Sequence, residues 1–226
     1  MGCMIYTVPL EAELLLKLFF ENKVNLCVEW PENQAKSFLD MVMATPYHDI
    51  LDFIDHSYNA QPLETEYIPQ FANTTEIDDV VQILTTCGED TLSYPDLGYY
   101  LIRSERKRSA YAKYGENYGK GAALLGLACY DPGTIRRSVL SEAYLSEYDA
   151  QQRTELRCKL YLRIPLIQEL LCRAKTEKYN GYDSMRMFSA TTMRRRGQSP
   201  RKLFGELVQY GDESVQKRIE NIYWEE

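Results

Sequence analysis

Lys113, Asn117 and Lys120 stand at i, i+4 and i+7. On a helix that spacing puts all three side chains on one face. Two ammonium groups flanking an amide suit a nucleic acid: the cations meet phosphates and the amide reads a base edge. Arg106, Lys107 and Arg108 precede this face, and Tyr114 is a further candidate on the same helix. Farther along, "SATTMRRRGQSPRKL" (residues 189–203) gathers Thr192, Arg194, Arg195, Arg196, Gln198, Ser199, Arg201 and Lys202. Arginine pairs bidentately with guanine and glutamine with adenine, while hydroxyls and lysines suit the backbone. Arg136 and Arg137 follow an Asp-Pro-Gly turn and are placed for phosphate contact. Three consecutive arginines fan over about 200° of a helix at ~100° per residue, so they cannot all face one groove.

Two other patterns compete for chemistry. Pro95-Asp96 followed by Glu105-Arg106-Lys107 has the form of a Pro-Asp…Glu-x-Lys nuclease motif, in which two acids hold Mg²⁺. Those acids must come from adjacent strands, however, and Pro95 reads as the first turn of a helix. His48, Asp52 and His56 share a helical face and have the spacing of metal ligands, but Ile50, Phe53 and Ile54 make the same helix an ordinary amphipathic one. With two histidines in the chain, a hydrolytic triad finds little support, and no phosphate-cradling glycine-rich loop is present. The residues assign neither a metal nor another cofactor.

Charge divides the chain. Residues 1–100 carry 3 basic and 17 acidic side chains, residues 101–205 carry 21 and 10, and residues 206–226 carry 2 and 6. The net of -7 therefore hides a middle segment of +11 between acidic flanks. Local potential attracts a polyanion even where the whole chain is negative. The plainer alternative is that acidic and basic parts pack against each other. Six scattered cysteines without a C-x-x-C pair give no zinc or disulfide framework, which makes reduced thiols in a cytoplasm the expectation. No apolar run approaches the roughly 20 residues of a membrane span, and no secretion signal is expected.

The elements that must position these residues follow from periodicity and punctuation. A helix is expected over Leu10–Glu21, a strand over Val24–Trp30, a helix opened by Pro31 and another from Pro46, then a polar linker over residues 59–73. From there the order is a helix capped by Thr74 or Thr75, a short helix capped by Ser93, and a basic helix from about Ser109 to Gly126. Two short strands around Asp131-Pro132-Gly133 close the unit. That order describes a winged helix-turn-helix, whose third helix enters the major groove. A second helix pair, broken at Pro165, leads to the 189–203 stretch, read as the recognition element of a second, degenerate unit. The expected fold is mainly α with short β wings: an N-terminal α/β region (1–70), a first winged helix (74–140) and a second with a C-terminal helix (141–226).

"LGYYLIRSERKRSAYAKYGENYGKGAALLGL" and "SATTMRRRGQSPRKL" carry a resemblance. Over residues 76–210 the chain resembles the tandem winged-helix DNA-recognition module of type II restriction endonucleases and related bacterial defence proteins. The resemblance implies a bacterial protein that recognises double-stranded DNA for restriction or phage defence, with catalysis left to another domain or to a catalytic or ATPase partner subunit. Two alternatives stand beside it. One is a winged-helix adaptor within a larger DNA-acting complex, like the winged-helix subunits of chromosome-condensing complexes. The other is the Mg²⁺-dependent nuclease considered above.

Overall fold

The computed structural model describes residues 12–31, 33–58, 63–71, 73–102 and 104–225. Three helices come first: α1 (Ala12–Phe20), α2 (Gln34–Ala44) and α3 (Tyr47–Ser57). Val24–Trp30 between α1 and α2 forms turns and bends, which corrects the expected strand, and no strand occurs among the described residues before Leu92. The N-terminal region is thus helical rather than α/β there. The segment finds no sheet edge to join. Instead the Leu26 carbonyl accepts one bond from the Val139 amide (3.0 Å), and Cys27 is disulfide-bonded to Cys129. That bond overturns the expectation of reduced thiols for this pair, while Cys87, Cys158 and Cys172 are free.

The middle of the chain runs α4 (Glu76–Thr86), β1 (Leu92–Ser93), α5 (Tyr94–Leu101), α6 (Arg108–Leu124), β2 (Ala128–Asp131) and β3 (Thr134–Arg137). The three strands form one antiparallel sheet in the order β1-β3-β2. Ser93 caps α5 as its chemistry suggests, accepting from the Asp96 amide (3.3 Å). Neither Thr74 nor Thr75 caps α4 by its side chain: the Thr74 hydroxyl is drawn off to Glu206, and Asn73 Oδ1 accepts the Thr75 amide (3.2 Å) in the turn before the helix. Gly133 takes φ 84° in the hairpin turn, a conformation glycine adopts freely.

After α7 (Ser141–Ser146) comes α8 (Ala150–Tyr161), opened by a capping box of Asp149 and Gln152 rather than by Ser146. Pro165 opens α9 (Pro165–Arg173). Then follow β4 (Tyr179–Asn180), α10 (Ala190–Arg196), α11 (Gln198–Tyr210), α12 (Glu213–Glu220) and β5 (Ile222–Tyr223). β4 and β5 pair in parallel, so among the described residues after α7 there is no second β-hairpin. The polar 189–203 stretch is two helices meeting at Gly197.

One buried cluster draws on all three sequence segments, from Phe19, Phe38 and Ile54 through Val80, Leu97 and Ala122 to Leu160, Leu170 and Leu207. Two buried arginines are held in different ways. Arg157 donates to Asp78 (2.8 Å), which also accepts from the Tyr144 hydroxyl (2.7 Å). Arg163 has no carboxylate partner among the described residues; it donates to the Phe19 carbonyl (3.0 Å) and lies 4.2 Å over the Phe19 ring, and burial lowers its pKa.

Candidate nucleic-acid interface

Two glycines set where α6 stands. A Cβ added to Gly98 of α5 would lie 1.9 Å from the Tyr111 carbonyl oxygen, and one added to Gly115 of α6 would lie 2.1 Å from the Tyr94 carbonyl oxygen. The two helices therefore meet backbone to backbone, which only glycine allows. Tyr118, Gly121 and Ala122 bury the inner face of α6. The basic turn before it, Arg106-Lys107, is exposed, as is Arg108 in the first turn. Tyr111 fixes that turn: its hydroxyl accepts from the Arg106 amide (2.9 Å) and donates to the Ser104 carbonyl (3.2 Å). Tyr99 (64% exposed) and Tyr100 (53%) stand beside it, with Tyr99 edge-on to Tyr111 at 5.6 Å. The sequence reading missed this pair. Consecutive tyrosines on a short helix cannot both reach one core face, and that was the signal available.

Lys113, Asn117 and Lys120 do share a face of α6, but it is partly roofed. Residues 63–71 cross over it and leave a cleft of about 220 Å³ that these three side chains line with Thr65, Glu66, Gln70 and Arg196. Glu116, in the middle of the face, holds Lys113 (3.2 Å) and Lys120 (3.0 Å). The Lys120 ammonium foremost, with that of Lys113, keeps the Glu116 carboxyl below its ordinary range. Asn117 thus lines a recess instead of standing out toward a groove. Tyr114 is turned inward, its hydroxyl donating to Glu76.

The hairpin cations divide. Arg136 donates to the Cys27 carbonyl (3.0 Å), with Asp131 at 3.9 Å; Arg137 stays exposed, 3.9 Å from Glu142.

In the second basic stretch Arg194, Arg195, Gln198 and Lys202 are exposed. Thr192 is half-buried and accepts from the Ser189 hydroxyl (3.1 Å). Ser199 is 5% exposed and faces the core. Arg201 donates to the Tyr182 hydroxyl (2.7 Å) and lies 5.0 Å over the Trp224 ring, so it serves packing. Arg196 leaves its two neighbours and enters the cleft, donating to the Thr65 carbonyl (3.1 Å) and stacking 4.2 Å over Phe188. The two basic elements, distant in sequence, therefore meet at one place.

The acidic N-terminal part does take up some of the positive charge: Asp78 closes on Arg153 and Arg157, and Asp55 on Lys175 and Arg218. The competing motifs do not assemble. Asp96 is engaged by Ser93 at the start of α5, while Glu105 and Lys107 lie exposed in the following turn. His56 Nδ1 sits 2.7 Å from the Asp52 carbonyl of its own helix, and no group of three potential metal ligands occurs among the described residues. No helix among them is long and apolar enough to cross a membrane.

No protein-family model matches the chain, and the comparisons with curated proteins and with solved structures give no match.

Proposed function

We propose that this protein binds duplex DNA through the N-terminal end of α6. The observation that carries the reading is the exposed basic turn Arg106-Lys107-Arg108, fixed by Tyr111 at the start of the third helix of an α4-β1-α5-α6-β2-β3 unit with strand order β1-β3-β2. That order is the one a winged helix-turn-helix takes, and in such motifs the first residues of the third helix meet base edges. Arg137 on the hairpin, and Arg194, Arg195 and Lys202 on α10 and α11, extend the charge for backbone contact. The second half enters as a helical extension whose hairpin is replaced by the β4–β5 pair, so base reading rests on one unit. Restriction or phage defence is the setting that the sequence resemblance suggests, with a partner subunit supplying catalysis.

Fluorescence anisotropy with labelled duplexes over a salt series tests the reading. Affinity is expected to fall linearly on a log-log plot through counterion release. Replacing Arg106, Lys107 and Arg108 together by alanine is expected to flatten the slope by about two to three units, at roughly 0.9 per lost phosphate contact. Binding with an unchanged slope would sink the assignment. Absence of duplex binding at low salt would favour the adaptor reading instead, which the exposed Tyr99-Tyr100 pair supports as a protein-docking surface.

A further inference from the structure

The cleft between α6 and residues 63–71 has a charge arrangement that duplex binding does not require. Lys113, Lys120 and Arg196 line it together with two carboxylates, Glu66 and Glu116. Both lysines are held by Glu116, and Glu66 accepts from the Tyr130 hydroxyl (3.1 Å). Arg196 is left with a carbonyl and an aromatic ring, and no carboxylate pairs with it among the described residues. Its Nε is buried and has no hydrogen-bond partner among the described residues, a state it shares with the Nε of Arg157 and of Arg201. A buried guanidinium N–H without an acceptor is costly, and native structures seldom tolerate one unless water or an ion completes it. Burial and the adjacent Arg195 charge both push the Arg196 pKa down, as happens to a cation that lacks a counter-charge.

We propose that the cleft is a binding site for a phosphate monoester. Three cations, Lys113, Lys120 and Arg196, line the cleft against two carboxylates, Glu66 and Glu116, an excess of positive charge that an anion balances. The amides of Asn117 and Gln70 line the same space and add neutral donors. A tetrahedral phosphate offers several acceptor oxygens to donors arriving from different sides, whereas a carboxylate offers two in one plane. The volume of about 220 Å³ is smaller than the ~300–1,000 Å³ of sites that enclose drug-sized ligands. The phosphate therefore enters and the rest of the molecule stays outside. Glu116 keeps both lysines pointed into the recess until the ligand shares them. The ester is either the 5′ end of a nucleic acid or a small phosphorylated compound, and this site stands whether or not α6 binds duplex.

Isothermal calorimetry of the full chain with inorganic phosphate, against chloride at matched ionic strength, tests the site. Saturable binding is expected. Arg196→Gln should weaken it about tenfold or more, as loss of a hydrogen bond to a charged group does, while Lys217→Gln on α12 leaves it unchanged. Melting curves without phosphate establish that the variants fold, and Lys120→Gln replaces Arg196→Gln if the latter does not. Absence of saturable binding, or equal affinity in both cleft variants and the native chain, overturns the proposal. A single-stranded oligonucleotide carrying a 5′-phosphate is then compared with its 5′-hydroxyl form. Preference for the phosphorylated strand assigns the site to nucleic-acid ends; equal binding alongside saturable inorganic phosphate assigns it to a small compound.

Discussion

Asp55 illustrates how much one side chain can connect. It accepts from both terminal nitrogens of Arg218 (2.7 and 2.9 Å) and from Lys175 (2.6 Å), tying α3 to the end of α9 and to α12. Burial would raise its carboxyl, but the Arg218 and Lys175 bonds prevail and hold it at about 2, below its ordinary value of 3.8. A depressed folded-state pKa means that the contribution is complete above the unfolded value and disappears as pH falls through the folded one. Stability should therefore decline as pH drops from 3.8 toward about 2. Asp55→Asn should lower stability at neutral pH and flatten that acid limb. Urea melts at several pH values check both; an unchanged acid limb would show that Asp55 is not the group responsible. The same scale separates the arginines of residues 194–196. Composition marked the cluster as basic, but the inward turn of Arg196 depends on Phe188 and the Thr65 carbonyl, a ring near in sequence and an oxygen far from it.

Among the elements, the α5–α6 crossing sets the geometry of the proposed interface. Gly115→Ala places a methyl against the Tyr94 carbonyl, and neither backbone can yield without moving the helix. The expected cost is about 2 kcal/mol or more, the range of overpacked sites. The variant should also lose duplex affinity, because the basic turn shifts with α6. Thermal denaturation and anisotropy measure the two losses, and a variant as stable as the native chain would refute the close crossing. Elements governed by local chemistry were legible in the sequence: Ser93 as a cap, Pro165 as a helix start, Asp131-Pro132-Gly133 as a hairpin turn. Val24–Trp30 was not. Its alternating Val24, Leu26, Val28 and Trp30 suit a strand, but a strand needs a partner edge, and pairing is decided by chain far away. The missing second hairpin has the same cause, since Tyr179 and Asn180 pair with Ile222 and Tyr223, residues supplied only after α12.

For the whole molecule the decisive long-range link is Cys27–Cys129, which spans 102 residues and joins the α1–α2 connection to the hairpin. Scattered cysteines carry no pairing information in their spacing, so this bond was beyond sequence reading. Cys27→Ser is expected to cost about 2–4 kcal/mol through the freed unfolded chain. Dithiothreitol should destabilise the native protein by a similar amount and leave the variant untouched. Equal melts with and without the reductant in the native protein would show that the bond does not form. The roof over the cleft gives the same bond a second meaning. Ile68 (2% exposed) and Phe71 (1%) anchor that crossing in the core, while Thr65, Glu66 and Tyr67 lie open to solvent. A protease that cuts after Tyr67 severs the backbone between the two cysteines, yet the fragments remain stitched at Cys27–Cys129 and clasped by a common interior. Such a nicked chain runs as one band under oxidising electrophoresis and as two once the thiols are freed, so the molecule can lose its continuity as a polypeptide before it loses its integrity as a body.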